Sequence, residues 1–344
     1  MNKKQLLVSL AALLLPAGAA AQYVIYPVPQ EQVAGTDKVN FTSTVTLVCE
    51  EGIDAYTVNR AKQVLTEAGL KVETANEPSA NQSNVLVGVK GSKGVADAKA
   101  EALGLKMDVF GLANKYDRHL LSLSDGGNGR ADLLILGENT DAAFFGFASL
   151  EQMFDAGTQA MAVTTLYDYA DQKSRGLVEG YYGYPYTVEV KKDLMRFMMR
   201  HKMNTYMYGA KSDPYHSQFW GDAYPESLTP EQVKNGWLSQ DMIKDITSTS
   251  HETKVNFIWA IHPGNNFVSN GQTVINQIMG KYEKMYDLGV RQFAVFVDDV
   301  AIPNSDADMK KNADQLTALQ RAIEAKWNTP GTAANDTVRP LHFV

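Results

Sequence analysis

The sequence predicts an α/β protein in two parts, and three observations support this. The chain of 344 residues is 44% hydrophobic and 21% charged, which is typical of a globular protein rather than a disordered one. Residues 22–170 contain apolar runs of strand length among segments with helical periodicity. In residues 171–344 the two kinds of segment alternate strictly, which implies parallel strands joined by right-handed crossovers.

The first part is predicted to be a small α/β domain. Its expected strands are 44–49, 71–74, 84–89, 119–124, 132–137 and 162–167. Its expected helices are 54–68, 96–102 and 141–154. Gly69 ends the first helix and Thr140 is the expected cap of the third. No strand or turn of this part gathers catalytic side chains, so we expect the functional site in the second part.

The second part is predicted to be the beginning of a barrel. Its expected strands are 176–182, 205–208, 256–261, 292–297 and 341–344, and its helices are 188–201, 239–251, 272–288 and 308–326. These units fit either an open doubly wound sheet or part of a (β/α)₈ barrel. The strand ends carry neither a phosphate loop nor Gly-x-Gly-x-x-Gly, which disfavours a nucleotide-binding sheet.

The number of residues in the second part and its final apolar run indicate how much of a barrel is present. A complete barrel takes about 250 residues, and only roughly 170 follow position 171. A sheet ending at 341–344 would expose an unpaired edge. We therefore expect an incomplete (β/α)₈ barrel from a C-terminally truncated sequence, with weak or no activity in residues 22–344 alone.

Residues 1–21 have the features of a cleaved signal peptide. Two lysines precede an apolar stretch at 6–15, and small residues precede a cleavage point between Ala21 and Gln22. The stretch is too short to cross a bilayer. The sequence therefore predicts an exported protein, periplasmic or secreted, without a membrane anchor.

Composition excludes several other classes of function. The formal net charge of -7 argues against a nucleic-acid partner, which would require a basic surface. Cys49 is the single cysteine, so it forms no internal disulfide, and it is interpreted as an inert core residue within strand 44–49. His262 has no second histidine at ligand spacing, so no metal is predicted, and no cofactor is expected.

The predicted strand ends of the second part are polar and aromatic. In parallel α/β domains, functional residues collect where the strands end. The four strand-end segments are 179–183, 208–216, 259–264 and 298–299.

The pair Asp298-Asp299 is the sharpest of these features. Repulsion between adjacent carboxylates is expected to raise the pKa of one of them, leaving an acid beside a base. That equipment suits the cleavage of a glycosidic bond. Neighbouring residues approach from one side, whereas a classical retaining enzyme places its carboxyl groups ~5 Å apart across the bond. A nucleophile supplied by the substrate therefore fits better, although a helix N-cap or a solvated turn is the alternative.

Other strand-end residues allow two interpretations each. Glu179 is either an acid or an internal anchor of the barrel. Lys211 either binds a sugar hydroxyl or pairs with Asp213. Tyr181, Tyr182 and Trp259 either stack on sugar faces or belong to the core.

Five segments resemble glycoside hydrolase family 84, the β-N-acetylglucosaminidases that include O-GlcNAcases and hyaluronoglucosaminidase-like enzymes. Four lie in the second part: GLVEGYYG at 176–183, NTYMYGAKSDPYH at 204–216, IWAIHPG at 258–264 and LGVRQFAVFVDD at 288–299. YPVPQ at 26–30 resembles the start of the small hexosaminidase-type domain that precedes the barrel in families 20 and 84.

The resemblance implies substrate-assisted, retaining hydrolysis of terminal β-linked N-acetylglucosamine from a glycan or glycoprotein. It implies that Asp298 orients the acetamide and that Asp299 is the general acid and later the base. It also implies that Gly180, through its carbonyl, and Lys211 hold sugar hydroxyls.

Tyr182 and Asp213 complete the predicted substrate-binding set. The chain departs from the family pattern at Ser212, where an acid is usual, and at Tyr186, where a tryptophan is common.

Two alternatives stay open. One is a non-catalytic glycan-binding protein on a degenerate barrel. The other is a hydrolase of the family 18 or 20 type, although those place Asp-x-Glu or Asp-Glu where this chain has Asp-Asp. The sequence predicts no oligomeric state.

Overall fold

The computed structural model describes residues 23–265, 267, 271–298, 300 and 305–344. The predicted signal peptide and Asp299 lie outside the described residues. The chain divides into two compact units between Ala170 and Asp171.

The first unit is built on one seven-stranded mixed sheet. Its strands are β1 (Glu31–Val39), β2 (Thr44–Cys49), β3 (Lys71–Thr74), β4 (Ser83–Val89), β5 (Tyr116–Asp125), β6 (Ala131–Gly137) and β7 (Met161–Ala170). They lie in the order β1-β7-β5-β6-β4-β2-β3. Strands β2, β3, β4 and β6 run parallel, and β5, β7 and β1 add antiparallel pairs.

Helices cover both faces of this sheet. Side chains alternate between faces along a strand, so Leu121 and Ile135 point to one core and Leu120 and Leu134 to the other. Helices Ala55–Glu67 and Thr140–Phe154 pack on the first face. Helix Val95–Ala102 and the 3₁₀ turn Asp108–Gly111 pack on the second. Burial on both faces explains why every residue of β6 is buried.

Three sequence expectations for this unit need correction. Strand β1 was not predicted because it is a polar edge strand without apolar alternation. The third helix is capped by Asn139, whose side chain accepts a hydrogen bond from the Ala142 amide at 2.9 Å. Thr140 was therefore the wrong cap, and its hydroxyl instead accepts from the Asp54 amide at 3.0 Å. Cys49 is half-buried rather than fully buried, and burial raises the pKa of its thiol to about 11.

The second unit is a curled, five-stranded parallel sheet, the incomplete barrel that the sequence predicts. Its strands are β8 (Gly176–Glu179), β9 (Thr205–Tyr208), β10 (Asn256–Ile261), β11 (Gln292–Val295) and β12 (His342–Phe343). Each strand pairs with the next along the chain, in the order β12-β11-β10-β9-β8. The helices that alternate with them are Val188–Arg200, Pro230–Lys234, Gln240–Thr253, Gly271–Asp287 and Asp306–Trp327.

Local sequence explains where these helices begin. Thr187, Ser239 and Ser305 each accept an amide hydrogen bond as the N-cap of the helix that follows. The short helix Pro230–Lys234, not predicted from the sequence, begins at a capping box formed by Thr229. Among the described residues, no helix has the length and apolar character needed to cross a membrane.

Candidate active site

The carboxyl ends of β8 and β9 are joined by hydrogen bonds beyond the strands themselves. The Gly209 amide donates to the Glu179 carbonyl at 2.9 Å, and the Lys211 amide donates to the Tyr181 carbonyl at 3.1 Å. A side chain at Gly209 would collide with the ring of Phe296. This close approach brings Lys211 toward the segment that follows β11.

Lys211 and Asp298 form the central ion pair of the site. The Lys211 ammonium donates to Oδ2 of Asp298, although the two residues lie 87 positions apart. The Lys211 side chain is 9% exposed and that of Asp298 is 40% exposed. Burial opposes ionisation of Asp298, but Lys211 and nearby His262 outweigh it and lower the pKa of the carboxyl. Asp298 is therefore held as a carboxylate that a ligand can reach.

Asp299, the predicted general acid, lies outside the described residues. Two other members of the predicted set lie on the loop after β8. Gly180 is partly exposed beside Phe296, and Tyr182 is 73% exposed. The Tyr181 carbonyl that accepts from Lys211 lies between them in the chain. The structure thus places Gly180 and Tyr182 on the loop that is tied to Lys211.

Asp213 does not offer its carboxylate to a ligand. It is 1% exposed, and its Oδ2 accepts from the hydroxyls of Tyr208 and Tyr224, both at 2.7 Å. Its Oδ1 accepts from the Tyr215 amide at 2.9 Å. The proposed pairing of Lys211 with Asp213 is replaced by the pair with Asp298. Asp213 instead holds the loop after β9 to the core.

Trp259 and Lys281 extend this buried cluster. Trp259 is 0% exposed and donates from Nε1 to the Tyr224 hydroxyl at 3.1 Å, so it is a core residue rather than a sugar platform. The Lys281 ammonium lies 4.6 Å from the ring centre of Tyr224 and donates to the Asp222 carbonyl at 2.5 Å. Burial lowers the pKa of Lys281 to about 7, although the charge of Asp213 opposes that fall.

Glu179 is an internal anchor. It is fully buried, and its Oε1 accepts from the Tyr186 amide at 2.9 Å and lies 3.2 Å from the Lys191 ammonium. Its Oε2 accepts from the Tyr206 hydroxyl at 2.5 Å. With these donors around it, the carboxylate is not available as an acid, and it fixes the loop after β8 to helix Val188–Arg200.

Two histidines that the sequence did not assign to the site connect its strand ends. His216 is fully buried, and its Nδ1 donates to the Ala260 carbonyl at 2.7 Å. Burial lowers the pKa of His216 to about 4, so its ring is neutral at neutral pH. His262 donates from Nε2 to the main-chain carbonyl of Asp298 at 2.8 Å. Their only signal in the sequence was their position in the strand-end segments.

Across the described part of the chain, no three His, Cys, Asp or Glu side chains are grouped so as to hold a metal ion.

Comparison with known proteins identifies both units. Residues 175–344 match the family model described as beta-N-acetylglucosaminidase, and residues 22–169 match glycosyl hydrolase family 20, domain 2. Together these matches support a family 84-like β-N-acetylglucosaminidase.

Individual relatives agree with this assignment. The chain is 29% identical over 170 residues to a protein O-GlcNAcase of Mus musculus, which is 47% of this chain and 17% of that protein. It is 30% identical over 125 residues to a protein O-GlcNAcase of Rattus norvegicus, which is 36% of this chain and 12% of that protein.

Solved structures match over most of this chain. The structure of CpGH84D has a TM-score of 0.77 at 32% identity, over 94% of this chain and 50% of that one. The structure of CpGH84B, at 24% identity and a TM-score of 0.72 over the same shares, supports the fold alone. The chain thus spans half the length of these two structures and a smaller share of the two curated relatives.

Tyr186 and Ser212, the two departures from the family 84 pattern, differ in solvent exposure. Tyr186 is 41% exposed, and its ring packs edge-on against Tyr181 at 5.6 Å. Ser212 is only partly exposed and stands between Lys211 and Asp213. The ion pair of Lys211 with Asp298 forms with both departures present.

Proposed function

We propose that this protein is a retaining exo-β-N-acetylglucosaminidase that removes terminal β-linked N-acetylglucosamine from glycans or glycoproteins. The observation that carries the proposal is Asp298, a reachable carboxylate held ionised beside Lys211 at the end of β11. The names of the relatives, which are O-GlcNAcases, support the same substrate class.

In the proposed reaction the substrate supplies its own nucleophile. The acetamide oxygen attacks the anomeric carbon, the bond to the leaving oxygen breaks, and an oxazoline forms as its N-protonated oxazolinium ion. Asp298 accepts a hydrogen bond from the acetamide N–H, which increases electron density on the acetamide oxygen. The adjacent Asp299 donates a proton to the leaving oxygen and then removes one from the water that opens the oxazoline.

Lys211 and Gly180 are proposed to hold the sugar. An ammonium group has three donors, so Lys211 can bind Asp298 and a sugar hydroxyl at the same time. The Gly180 carbonyl is proposed to accept from a second hydroxyl.

Export and domain organisation are part of the same proposal. Cleavage between Ala21 and Gln22 would release a mature periplasmic or secreted protein with domains at 22–170 and 171–344. N-terminal sequencing of the mature protein tests the cleavage site, and a retained Met1 would contradict it.

Hydrolysis of aryl β-N-acetylglucosaminides by the protein from its complete reading frame tests the mechanism. Substrates with acetyl, fluoroacetyl and trifluoroacetyl groups are compared, because fluorine weakens the acetamide as a nucleophile. We expect a steep fall in kcat along the series, and Asp299→Asn should lower kcat for every substrate. A flat series would indicate a protein nucleophile, and no turnover would favour the glycan-binding alternative.

A further inference from the structure

His262 is bonded to the main chain of Asp298 rather than to its carboxylate. The His262 Nε2 lies 2.8 Å from the Asp298 carbonyl oxygen and 3.6 Å from Oδ1, which is too long for a hydrogen bond. Because a carbonyl only accepts, Nε2 must carry the hydrogen. The His262 side chain is 15% exposed, so water competes little for this bond.

The two histidines brace three consecutive strand ends. His216, after β9, donates to the Ala260 carbonyl on β10. The His262 amide, just after β10, donates to the His216 carbonyl at 2.8 Å. His262 then reaches Asp298 beyond β11. The brace therefore begins at the loop that carries Lys211 and ends at its ionic partner.

The two carboxylate oxygens of Asp298 have different surroundings. Lys211 occupies Oδ2. Within the described part of the chain, the buried Oδ1 has no hydrogen-bond partner. The Asp298 carbonyl carbon is bonded to the Cα that carries the side chain, so a hydrogen bond to the carbonyl restrains the main chain from which the carboxylate projects.

We infer that His262 is a positioning residue that holds the main chain of Asp298 so that its carboxylate stays beside Lys211, in place for the substrate acetamide. This role rests on the proposed function. His262 does not touch substrate; it acts through the Asp298 carbonyl. A displacement of about 1 Å in such a group can lower the rate on the order of 100-fold.

Three substitutions distinguish the effect of losing the hydrogen bond from the effect of losing the volume of the ring. His262→Leu removes the donor, His262→Asn shortens it, and His262→Gln carries an N–H at about the reach of Nε2. We expect kcat to fall about 30- to 100-fold in His262→Leu and His262→Asn, with KM little changed. We expect His262→Gln to recover kcat to within about threefold to fivefold of the wild type.

His251 provides a matched control. Its Nε2 also donates to a main-chain carbonyl, that of Gly289, at 3.0 Å, but this contact lies at the other end of the sheet, before β11. His251→Leu should lower the thermal midpoint and leave kcat unchanged. Equal kcat in His262→Gln and His262→Leu, or full activity in His262→Leu, would overturn the inference.

Titration of Asp298 provides a readout that does not depend on turnover. The carboxyl signal is followed by NMR of protein labelled with ¹³C-aspartate. In His262→Leu the pKa of Asp298 should rise, because the carboxylate loses both its alignment with Lys211 and the neighbouring imidazole, whereas His251→Leu should leave it unchanged. A wild type without turnover would defeat the proposed function, and an unchanged titration would defeat the positioning role.

Discussion

Asp213 and Asp298 each follow a strand of the same parallel sheet, yet their surroundings differ in kind. Asp213 is enclosed by the hydroxyls of Tyr208 and Tyr224, and its side chain is almost fully buried. Asp298 faces a cation, Lys211, and 40% of its side chain is exposed. The fold supplies hydrogen-bond donors to the carboxylate of Asp213. Oδ1 of Asp298, in contrast, has no hydrogen-bond partner among the described residues.

This difference shows that position at a strand end does not by itself make an acid functional. Three neutral or main-chain donors satisfy Asp213, so moving it toward a ligand would leave buried groups unpaired. The contact of Asp298 with Lys211 keeps it charged and still reachable. The same residue type therefore stabilises the fold in one place and serves chemistry in the other.

The largest expected effect is the loss of turnover in the variant Asp298→Asn. Loss of the negative charge removes the polarisation of the acetamide, so kcat with an aryl β-N-acetylglucosaminide should fall on the order of 10³-fold. The thermal midpoint should change little, because the side chain is partly exposed. Near-normal turnover would place Asp298 in the same structural class as Asp213.

Asp213→Ala should act on stability instead. It would leave the buried hydroxyls of Tyr208 and Tyr224 without their acceptor, so the free energy of unfolding should fall by about 3 kcal/mol. All four tryptophans lie after residue 171, so tryptophan fluorescence during urea denaturation reports on this unit. Tyr224→Phe, which removes one donor, should cost about 1 kcal/mol. An unchanged unfolding midpoint in Asp213→Ala would contradict the structural role.

The last expected effect, modest over any single pH unit, is a pH dependence of stability from Lys281, beside the Asp213 cluster. Its pKa falls from 10.5 unfolded to about 7 folded, so the unfolded chain holds more protons between these values. The stability that this group contributes is therefore fully present above pH 10.5 and is lost as pH falls from 10.5 to about 7, by at most about 1.4 kcal/mol per pH unit.

Lys281→Met should remove this slope. The free energy of unfolding is measured at pH 6, 7.5 and 9. We expect that of the wild type to increase relative to that of the variant as pH rises. Asp213 and Asp222 favour the charged ammonium and Lys284 opposes it, so these groups shape the slope. Parallel curves for wild type and variant would show that Lys281 does not change its charge on folding in this range.

Much of the fold could be predicted because apolar periodicity is a local property of the chain. Strand β9 and strand β10 have the predicted bounds, since each is a short apolar run between polar ends. Strand β8 ends at Glu179, three residues before the predicted end. The aromatic residues that follow look strand-like in the sequence, but the glutamate binds the returning loop and ends the strand.

The site could be predicted only in part, because its decisive contacts join distant residues. The sequence indicated Lys211 and Asp298 separately, but nothing local could show that they form a pair. Asp213 was assigned to substrate binding, but the hydroxyl of Tyr224, 11 residues further along the same connection after β9, satisfies its carboxylate. The hydrogen bond from His262 to the main-chain carbonyl of Asp298 could not be predicted, because every residue has such a carbonyl and the sequence does not indicate which one is the acceptor.

The order of strands means that the two sheets can form at different stages of synthesis on the ribosome. In the second unit every strand pairs with the one made just before it, so the sheet can grow one βα unit at a time as the chain emerges. In the first unit β1 must wait for β7, since Glu31 pairs with Tyr167. A nascent chain stalled before β7 would therefore leave β1 without a neighbour, an exposed strand that a chaperone could recognise.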